Sequence, residues 1–110
     1  MTLAALLAER FKVRTRAVEN PLITSVGTTA LLVLSNNPNR LGLTIVNLSA
    51  NNIYLGLTNS VSATRGIWLQ PNGGAVTMEW DTDFHKVAWA WWVVADGADS
   101  AIYSLEDIEY

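Results

Sequence analysis

The sequence predicts an all-β protein: a single antiparallel β-sandwich or jelly-roll-like domain, preceded by a short N-terminal helix and an extended arm. Its 110 residues suit one domain, which at this size buries roughly two thirds of its unfolded surface. Short apolar segments rich in strand-forming residues recur about every ten residues and are separated by turn formers. No long helical pattern alternates with these segments, as a parallel sheet would require.

Residues 1–19 are predicted to form the helix and a basic arm, and residues 20–110 to form the sandwich. In the helix, Thr2 can act as the N-cap. Apolar residues recur there at helical spacing: Leu3, Leu6, Leu7 and Phe11. A helix this short is not stable alone, and the arm after it carries alternating basic side chains up to the break at Pro21. We expect residues 1–19 to become ordered only against a partner.

The remaining segments are predicted to be strands joined by turns. Each segment is apolar and β-prone, and the connections SNNPNR, QPNGG and DGADS are dense in turn formers. The predicted strands cover residues 28–34, 41–48, 52–57, 66–69, 75–80, 87–95 and 101–106. The short SAN connection between the second and third of these strands predicts a hairpin.

Charge is distributed unevenly along the chain, whose net charge is −3. Residues 1–16 contain four basic residues and one acid, a charge of +3, whereas residues 79–110 contain eight acids and one lysine, a charge of −7. Half of all residues are hydrophobic and 15% are charged, compared with about 25% charged in typical domains. The composition favours a protein that buries surface against partners of opposite charge. Ordinary solvated charge at the two termini is the alternative.

Candidate catalytic and metal-binding residues are few. The chain has no cysteine and one histidine, His85, and it contains no nucleophile motif. Glu79, Asp81 and Asp83 offer oxygen ligands for Ca²⁺ or an acid/base pair, but the glycine and distal glutamate of an EF-hand are missing. Basic residues and aromatics lie in opposite halves of the chain, unlike a nucleic-acid site. No apolar run approaches the ~20 residues of a membrane span. We therefore predict no enzyme activity, cofactor, metal, nucleic acid or membrane partner.

Three of the five tryptophans cluster in the segment HKVAWAWWVVAD. In a strand over residues 87–95, Trp89 and Trp91 would face one way and Trp92 the other. The flanking residues are apolar as well, so both faces of this strand should be covered. Burial by another subunit or by the N-terminal arm is the favoured interpretation. Burial in the core of the same chain and sugar stacking on Trp89 and Trp91 remain open.

The segment NRLGLTIVNLSANNIYLGLTNSVSATRGIWLQPNGG (residues 39–74) has a distinctive order of features. An arginine leads into a strand that ends in Val-Asn, and a polar turn, IYLG, a Ser/Thr-rich loop and GIWLQPNGG follow. This order resembles small β-sandwich structural proteins of tailed bacteriophages, with Gly56 suited to a bulge or a close backbone approach.

The resemblance implies a structural virion protein that is assembled in the host cytoplasm. It would be a capsid decoration (cement) protein that forms a homotrimer and bridges major capsid protein or other virion subunits. A tail or neck component is the alternative within this class, and a carbohydrate-binding or host-adhesion module is the alternative outside it. The interface candidates are Arg10, Lys12, Arg14, Arg16, Trp89, Trp91 and Trp92.

Overall fold

Nine strands form two antiparallel sheets within residues 2–110, the part of the chain that the computed structural model describes. The strands are β1 (Thr15–Glu19), β2 (Ile23–Val26), β3 (Leu31–Leu34), β4 (Arg40–Asn47), β5 (Ile53–Gly56), β6 (Ile67–Leu69), β7 (Ala75–Glu79), β8 (Trp91–Ala95) and β9 (Ser100–Glu109). The helices are α1 (Leu3–Arg10), α2 (Trp80–Asp83) and a 3₁₀ helix (Phe84–Ala88). None of the helices in residues 2–110 has the length and apolar character needed to cross a membrane.

The strand order is that of a jelly roll. Sheet A has the order β2-β9-β4-β7, with β1 beside β2 on the same edge of β9, and sheet B has the order β3-β8-β5-β6. Counted from the two ends of the sequence toward its middle, β2 pairs with β9, β3 with β8, β4 with β7, and β5 with β6. A long antiparallel ribbon folded over on itself gives this order, which is that of the eight-stranded jelly roll. The predicted fold class is confirmed, with β1 as a strand additional to these eight. The predicted hairpin is wrong, because β4 belongs to sheet A and β5 to sheet B.

The two sheets pack face to face through side chains that alternate toward the interior. Along β4, Leu43 and Ile45 are buried. Thr44 and Val46, which alternate with them, face outward and are half-buried. The buried core consists of Val26, Leu34, Leu43, Ile45, Ile53, Leu55, Leu69, Met78, Val87, Trp91, Val93, Ala95 and Ile102. Burial of one such aliphatic side chain contributes about 1.5–3 kcal/mol. This layer therefore holds sheet A and sheet B together.

Part of the predicted arm is an edge strand of sheet A. Thr15–Glu19 pairs antiparallel with residues 105–109 of β9. The Arg16 guanidinium also lies 5.3 Å from the centroid of the Tyr110 ring, within the range of a cation–π contact. The structure therefore places the start of the sandwich at residue 15, not at residue 20, because these β-prone residues find a partner strand in their own chain.

Only the residues ahead of β1 remain outside the sandwich. The predicted N-cap of α1 is present, since the Thr2 hydroxyl accepts a hydrogen bond from the Ala5 N–H at 3.2 Å. No residue of α1 is buried, and Leu3 is largely exposed. An open cleft separates the helix from Val13 and Tyr110 at the end of sheet A. The structure therefore stabilises this helix by capping and not by burial.

Arg40, at the start of β4, is a buried charge that is only 3% exposed. Its Nε donates to Glu106 Oε1 on β9 at 2.5 Å. Its Nη1 donates to the carbonyl oxygens of Val87 at 3.2 Å and Trp89 at 3.0 Å, and its Nη2 donates to that of Ser35 at 2.7 Å. A buried charge is tolerated only when it is paired and hydrogen-bonded in this way. Arg40 thereby ties together β4, β9, the 3₁₀ helix and the loop before β4.

These contacts explain why the strand predicted over residues 87–95 starts only at Trp91. The Val87 and Trp89 carbonyls point to Arg40, and the Ala88 carbonyl accepts the Asn37 N–H at 2.9 Å. A β-ladder needs such carbonyls to face a neighbouring strand. The chain instead leaves a 3₁₀ helix at this point, so the strand prediction is wrong for residues 87–90.

Asn47, at the other end of β4, is fully buried and joins the adjacent turns. Its Nδ2 donates to the carbonyl oxygens of Asn51 at 2.8 Å and of Leu69 and Gln70 at 3.0 Å each. Its Oδ1 accepts from the N–H of Ser49 at 2.9 Å and from its hydroxyl at 2.7 Å. A polar side chain therefore fixes the central strand at each end.

We predict that Arg40→Ala lowers the free energy of unfolding by about 3–5 kcal/mol, because it leaves Glu106 without its partner in a nearly water-free site. Urea denaturation followed by circular dichroism measures this change. Arg14→Ala, at an exposed arginine, is the matched control and should change stability by less than about 0.5 kcal/mol. Equal stability of the two variants would contradict the anchoring role of Arg40.

Candidate protein-binding face

One of the residues considered for chemistry has a structural role. The Asp83 carboxylate accepts hydrogen bonds from the Glu79 N–H at 2.9 Å and the Thr82 hydroxyl at 3.2 Å, and so ties the end of α2 back to its start. Asp81 and His85 are exposed. Within residues 2–110, no three side chains of the metal-ligating types come together. Of the three carboxylates, that of Asp83 therefore stabilises the turn.

The outer face of sheet B carries a continuous apolar surface, which we call the aromatic face. Along β8, Trp91 and Val93 point into the core, so Trp92 and Val94 point outward. The cross-strand register places Leu32 of β3 and Gly56 of β5 opposite Trp92, and it places Tyr54 of β5 opposite both Val94 and Trp68 of β6. The aromatic face consists of Leu32, Tyr54, Trp68, Trp92 and Val94.

The aromatic face carries no charged residue, and no helix or further sheet of residues 2–110 packs on it. The four strands of sheet B contain no charged residue. Trp68 is 55% exposed and Leu32 is 40% exposed, and the three residues between them are half-buried. The helix α1, which could have covered an apolar surface, lies across an open cleft from Val13 and Tyr110, at the end of sheet A. A sheet that is apolar on both faces is normally covered on both. The described chain covers the outer face only around Gly56, where Val61 packs.

Trp68 is held in a fixed orientation. Its Nε1 donates to Asn52 Oδ1 at 2.8 Å. Asn52 in turn is clamped by Asp96, whose two carboxylate oxygens accept from its backbone N–H at 3.0 Å and from its Nδ2 at 2.7 Å. An aromatic side chain fixed before binding loses little entropy when a partner covers it. The network therefore prepares this edge of the aromatic face for contact.

The outer face of sheet A has the opposite character and is acidic. Four exposed carboxylates occupy its outward positions, and no lysine or arginine does: Glu19, Glu79, Asp107 and Glu109. The Tyr103 hydroxyl donates to Glu19 Oε2 at 3.1 Å across β9 and β1. This hydrogen bond, together with the negative charge of Glu19, raises the pKa of Tyr103 above its usual 10.0. Solvent is the natural environment for this face.

The structure separates the predicted interface residues. Trp91 is 2% exposed and its Nε1 donates to the Lys86 carbonyl at 3.0 Å, so it is a core residue. Trp89 lies after the 3₁₀ helix and is 45% exposed. Trp89 and Trp91 therefore do not share a strand face, and no sugar platform can form from that pair. Trp92 alone of the three lies on the aromatic face.

The predicted basic residues lie elsewhere. Arg10, Lys12, Arg14 and Arg16 are all exposed, from α1 to β1. β1 belongs to sheet A, whereas Trp92 projects from sheet B. The basic residues and the aromatic face are thus separate features of the surface.

Sequence reasoning missed Leu32, Tyr54, Trp68 and Val94 as members of one surface. A usable signal was present, because LLVL, IYLG and GIWL are apolar at alternate positions on both faces, as is the tryptophan segment. Of these segments, only residues 87–95 were predicted to be covered on both faces. Which strands lie side by side in sheet B depends on long-range pairing that no local pattern contains.

We predict that Trp91→Ala and Trp92→Ala affect folding very differently. Trp91→Ala empties a large volume in the core and should cost about 3–5 kcal/mol of unfolding free energy. Trp92→Ala removes an outward side chain and should cost about 1 kcal/mol or less. Thermal and urea unfolding of the two variants measure the difference. If Trp92→Ala were the more destabilising change, the assignment of the two faces of β8 would be wrong.

We predict that Glu19→Gln lowers the pKa of Tyr103, because it removes the negative charge that opposes ionisation. Titration of tyrosinate absorbance measures the pKa, and Tyr103→Phe identifies which of the transitions belongs to Tyr103. Because the folded-state pKa is raised above 10.0, this contact stabilises the fold below that pH and is lost as the pH rises through the folded value. An unchanged titration curve in Glu19→Gln would show that the two groups do not interact.

Comparison of the chain with protein-family models and with curated proteins finds no match. The aromatic face, the fixed Trp68 and the acidic face opposite are therefore the features from which a function can be inferred.

Proposed function

We propose that the protein is a non-enzymatic structural subunit of a tailed-phage virion, specifically a capsid decoration (cement) protein, and that it binds the shell through the aromatic face. The observation that supports this most strongly is the aromatic face itself. Five largely apolar side chains, two of them tryptophans, are aligned on four uncharged strands, and Leu32 and Trp68 at the two edges are exposed. Contiguous apolar surface of this kind marks interaction sites in folded proteins.

The binding mechanism is burial of aromatic surface without bond chemistry. Tryptophan and tyrosine are the side chains that most often dominate interface energies, with truncation costs of about 2–4 kcal/mol at central positions. Trp68 and Trp92 would take this role, and the hydrogen bond from Trp68 to Asn52 would keep the entropic cost low. On a repeating lattice, a homotrimer would multiply modest contacts through its three linked copies.

The fold is compatible with this function but does not select it. Jelly rolls serve as viral capsid domains and also as lectins, and one fold commonly hosts unrelated functions. The proposal therefore depends on the aromatic face and not on the topology.

One observation favours a carbohydrate-binding or adhesion module as the second candidate. Trp68 is the most exposed aromatic of the face, and the polar side chains of Asn52 and Asp96 lie beside it. Sugar sites combine an aromatic stacking surface with such polar neighbours. Here, however, these polar groups already bond to each other, and the remaining members of the face are apolar apart from the Tyr54 hydroxyl. The protein-binding function therefore fits more of the surface.

The proposal is tested by adding the purified protein to capsids that lack it and measuring co-sedimentation in a density gradient. We expect saturable binding by the parent protein. The double substitution Trp68→Ser/Trp92→Ser should weaken binding by about a hundredfold or more, since two hot-spot side chains are lost. The matched control is Trp80→Ser/Phe84→Ser, which removes two exposed aromatics outside the aromatic face and should bind like the parent.

Binding by the Trp68→Ser/Trp92→Ser variant at parental strength would contradict the role of the aromatic face. Binding to tails in place of capsids would move the protein to the tail or neck. Absence of capsid binding, together with glycan-array binding that is lost in Trp68→Ser, would support the carbohydrate-binding function instead.

A further inference from the structure

A second feature of the surface is a groove at the mouth of the sandwich, which we call the Arg65–Lys86 groove. It has a volume of about 430 Å³ and opens between the end of β5, residues 57–66 and the 3₁₀ helix. Its apolar floor is formed by the exposed side chains of Leu57 and Ile67 together with three buried residues: Leu55, Val61 and Trp91. Arg65 and Lys86 stand at its sides. The volume lies within the range of about 300–1,000 Å³ that ligand-binding clefts occupy.

The shape of the groove is fixed by close packing of residues 57–66 onto sheet B. A Cβ atom at Gly56 would lie 2.8 Å from Val61 Cβ, and one at Gly66 would lie 2.9 Å from Val61 Cγ2. Only glycine at both positions lets Val61 sit this deep. The Ser62 and Arg65 backbones also bond to each other in both directions, at 3.2 Å and 3.1 Å. Arg65 therefore projects from a rigid turn.

The charge at the groove stands out in this protein. Beyond the N-terminal basic residues, the chain has three cations: Arg40, Arg65 and Lys86. Arg40 is buried against Glu106. The other two are exposed, both line the groove, and neither has an ion-pair partner within residues 2–110. The chain has a net charge of −3. Within the sandwich from β2 onward, the two basic side chains without an ion-pair partner therefore both lie beside one apolar cleft.

We propose that the Arg65–Lys86 groove binds an acidic segment of a partner protein, with an apolar side chain on the floor and adjacent carboxylates paired with Arg65 and Lys86. Two cations beside an apolar floor favour a ligand that combines negative charge with an apolar group. The groove also adjoins the aromatic face, because its wall residue Gly56 is paired with Trp92. A protein bound on that face can continue into the groove. In taking the partner to be a protein, this inference rests on the proposed function.

The test is a selection of random short peptides by mRNA display on the intact protein. We expect the recovered peptides to carry aspartate or glutamate next to leucine, isoleucine, phenylalanine or tryptophan. Because charge pairs contribute, their affinity should fall by about tenfold or more as the salt concentration is raised from about 0.05 M to about 0.5 M. In ¹H–¹⁵N NMR spectra the peptides should shift the amides of Gly56 and Gly66.

The double substitution Arg65→Glu/Lys86→Glu should weaken peptide binding by about tenfold or more, measured by fluorescence anisotropy. The matched control is Arg10→Glu/Arg14→Glu, which makes the same change in net charge outside the groove and should have an effect of less than about twofold. Circular dichroism establishes that both variants are folded, and Arg65→Gln/Lys86→Gln provides a milder version should the charge reversal unfold the protein.

Any of three results would overturn the proposal. The recovered peptides could lack acidic enrichment, the two double variants could lose equal affinity, or the amide shifts could be confined to other regions. The proposal would also be overturned by failure to recover any peptide while free indole-3-acetate shifts the groove amides, since the site would then take a small acid. Trp68→Ser/Trp92→Ser leaves the groove intact, and selected peptides should bind to it normally. Loss of capsid binding and loss of peptide binding can therefore be separated.

Discussion

The contacts of the buried Arg40 guanidinium are the constraint on which the rest of the surface depends. Because Arg40 takes the Val87 and Trp89 carbonyls, the chain cannot begin β8 before Trp91. In the strand that follows, pairing with β3 and β5 turns Trp91 inward and Trp92 outward. A slip of one residue would exchange every side chain between the two faces. The position of one buried charge thus decides where the strand that carries both tryptophans begins.

The two sheets share one core but present different chemistry to their surroundings. Sheet A faces outward with four carboxylates, and sheet B with apolar side chains alone. The Arg65–Lys86 groove adds positive charge where sheet B ends. An acidic face, an uncharged face and a basic cleft on one small domain restrict how a partner can be oriented.

The sequence predicted the fold class and most strands because these follow from local patterns. The segment predicted at 41–48 is β4 at residues 40–47, and the one at 75–80 is β7 at residues 75–79. Strands β1 and β2 were missed because their common partner β9 is remote: Glu19 of β1 and Tyr103 of β9 are 84 positions apart. The 3₁₀ helix was missed because Arg40 lies 47 positions before Val87. For the same reason the aromatic face could not be assembled, since Leu32, Trp92 and Tyr54 become neighbours only through sheet pairing.

The uncharged character of sheet B has a consequence for the protein before it meets a partner. Two of its strands, β3 and β6, are edges, and apolar edges without charge invite strands of other copies to add on. The net negative charge of the chain opposes the approach of free copies, and this net charge falls to zero near the isoelectric point of about 4.9. The carboxylates of sheet A thus help to keep free subunits apart at neutral pH, and acidification toward the isoelectric point favours their aggregation.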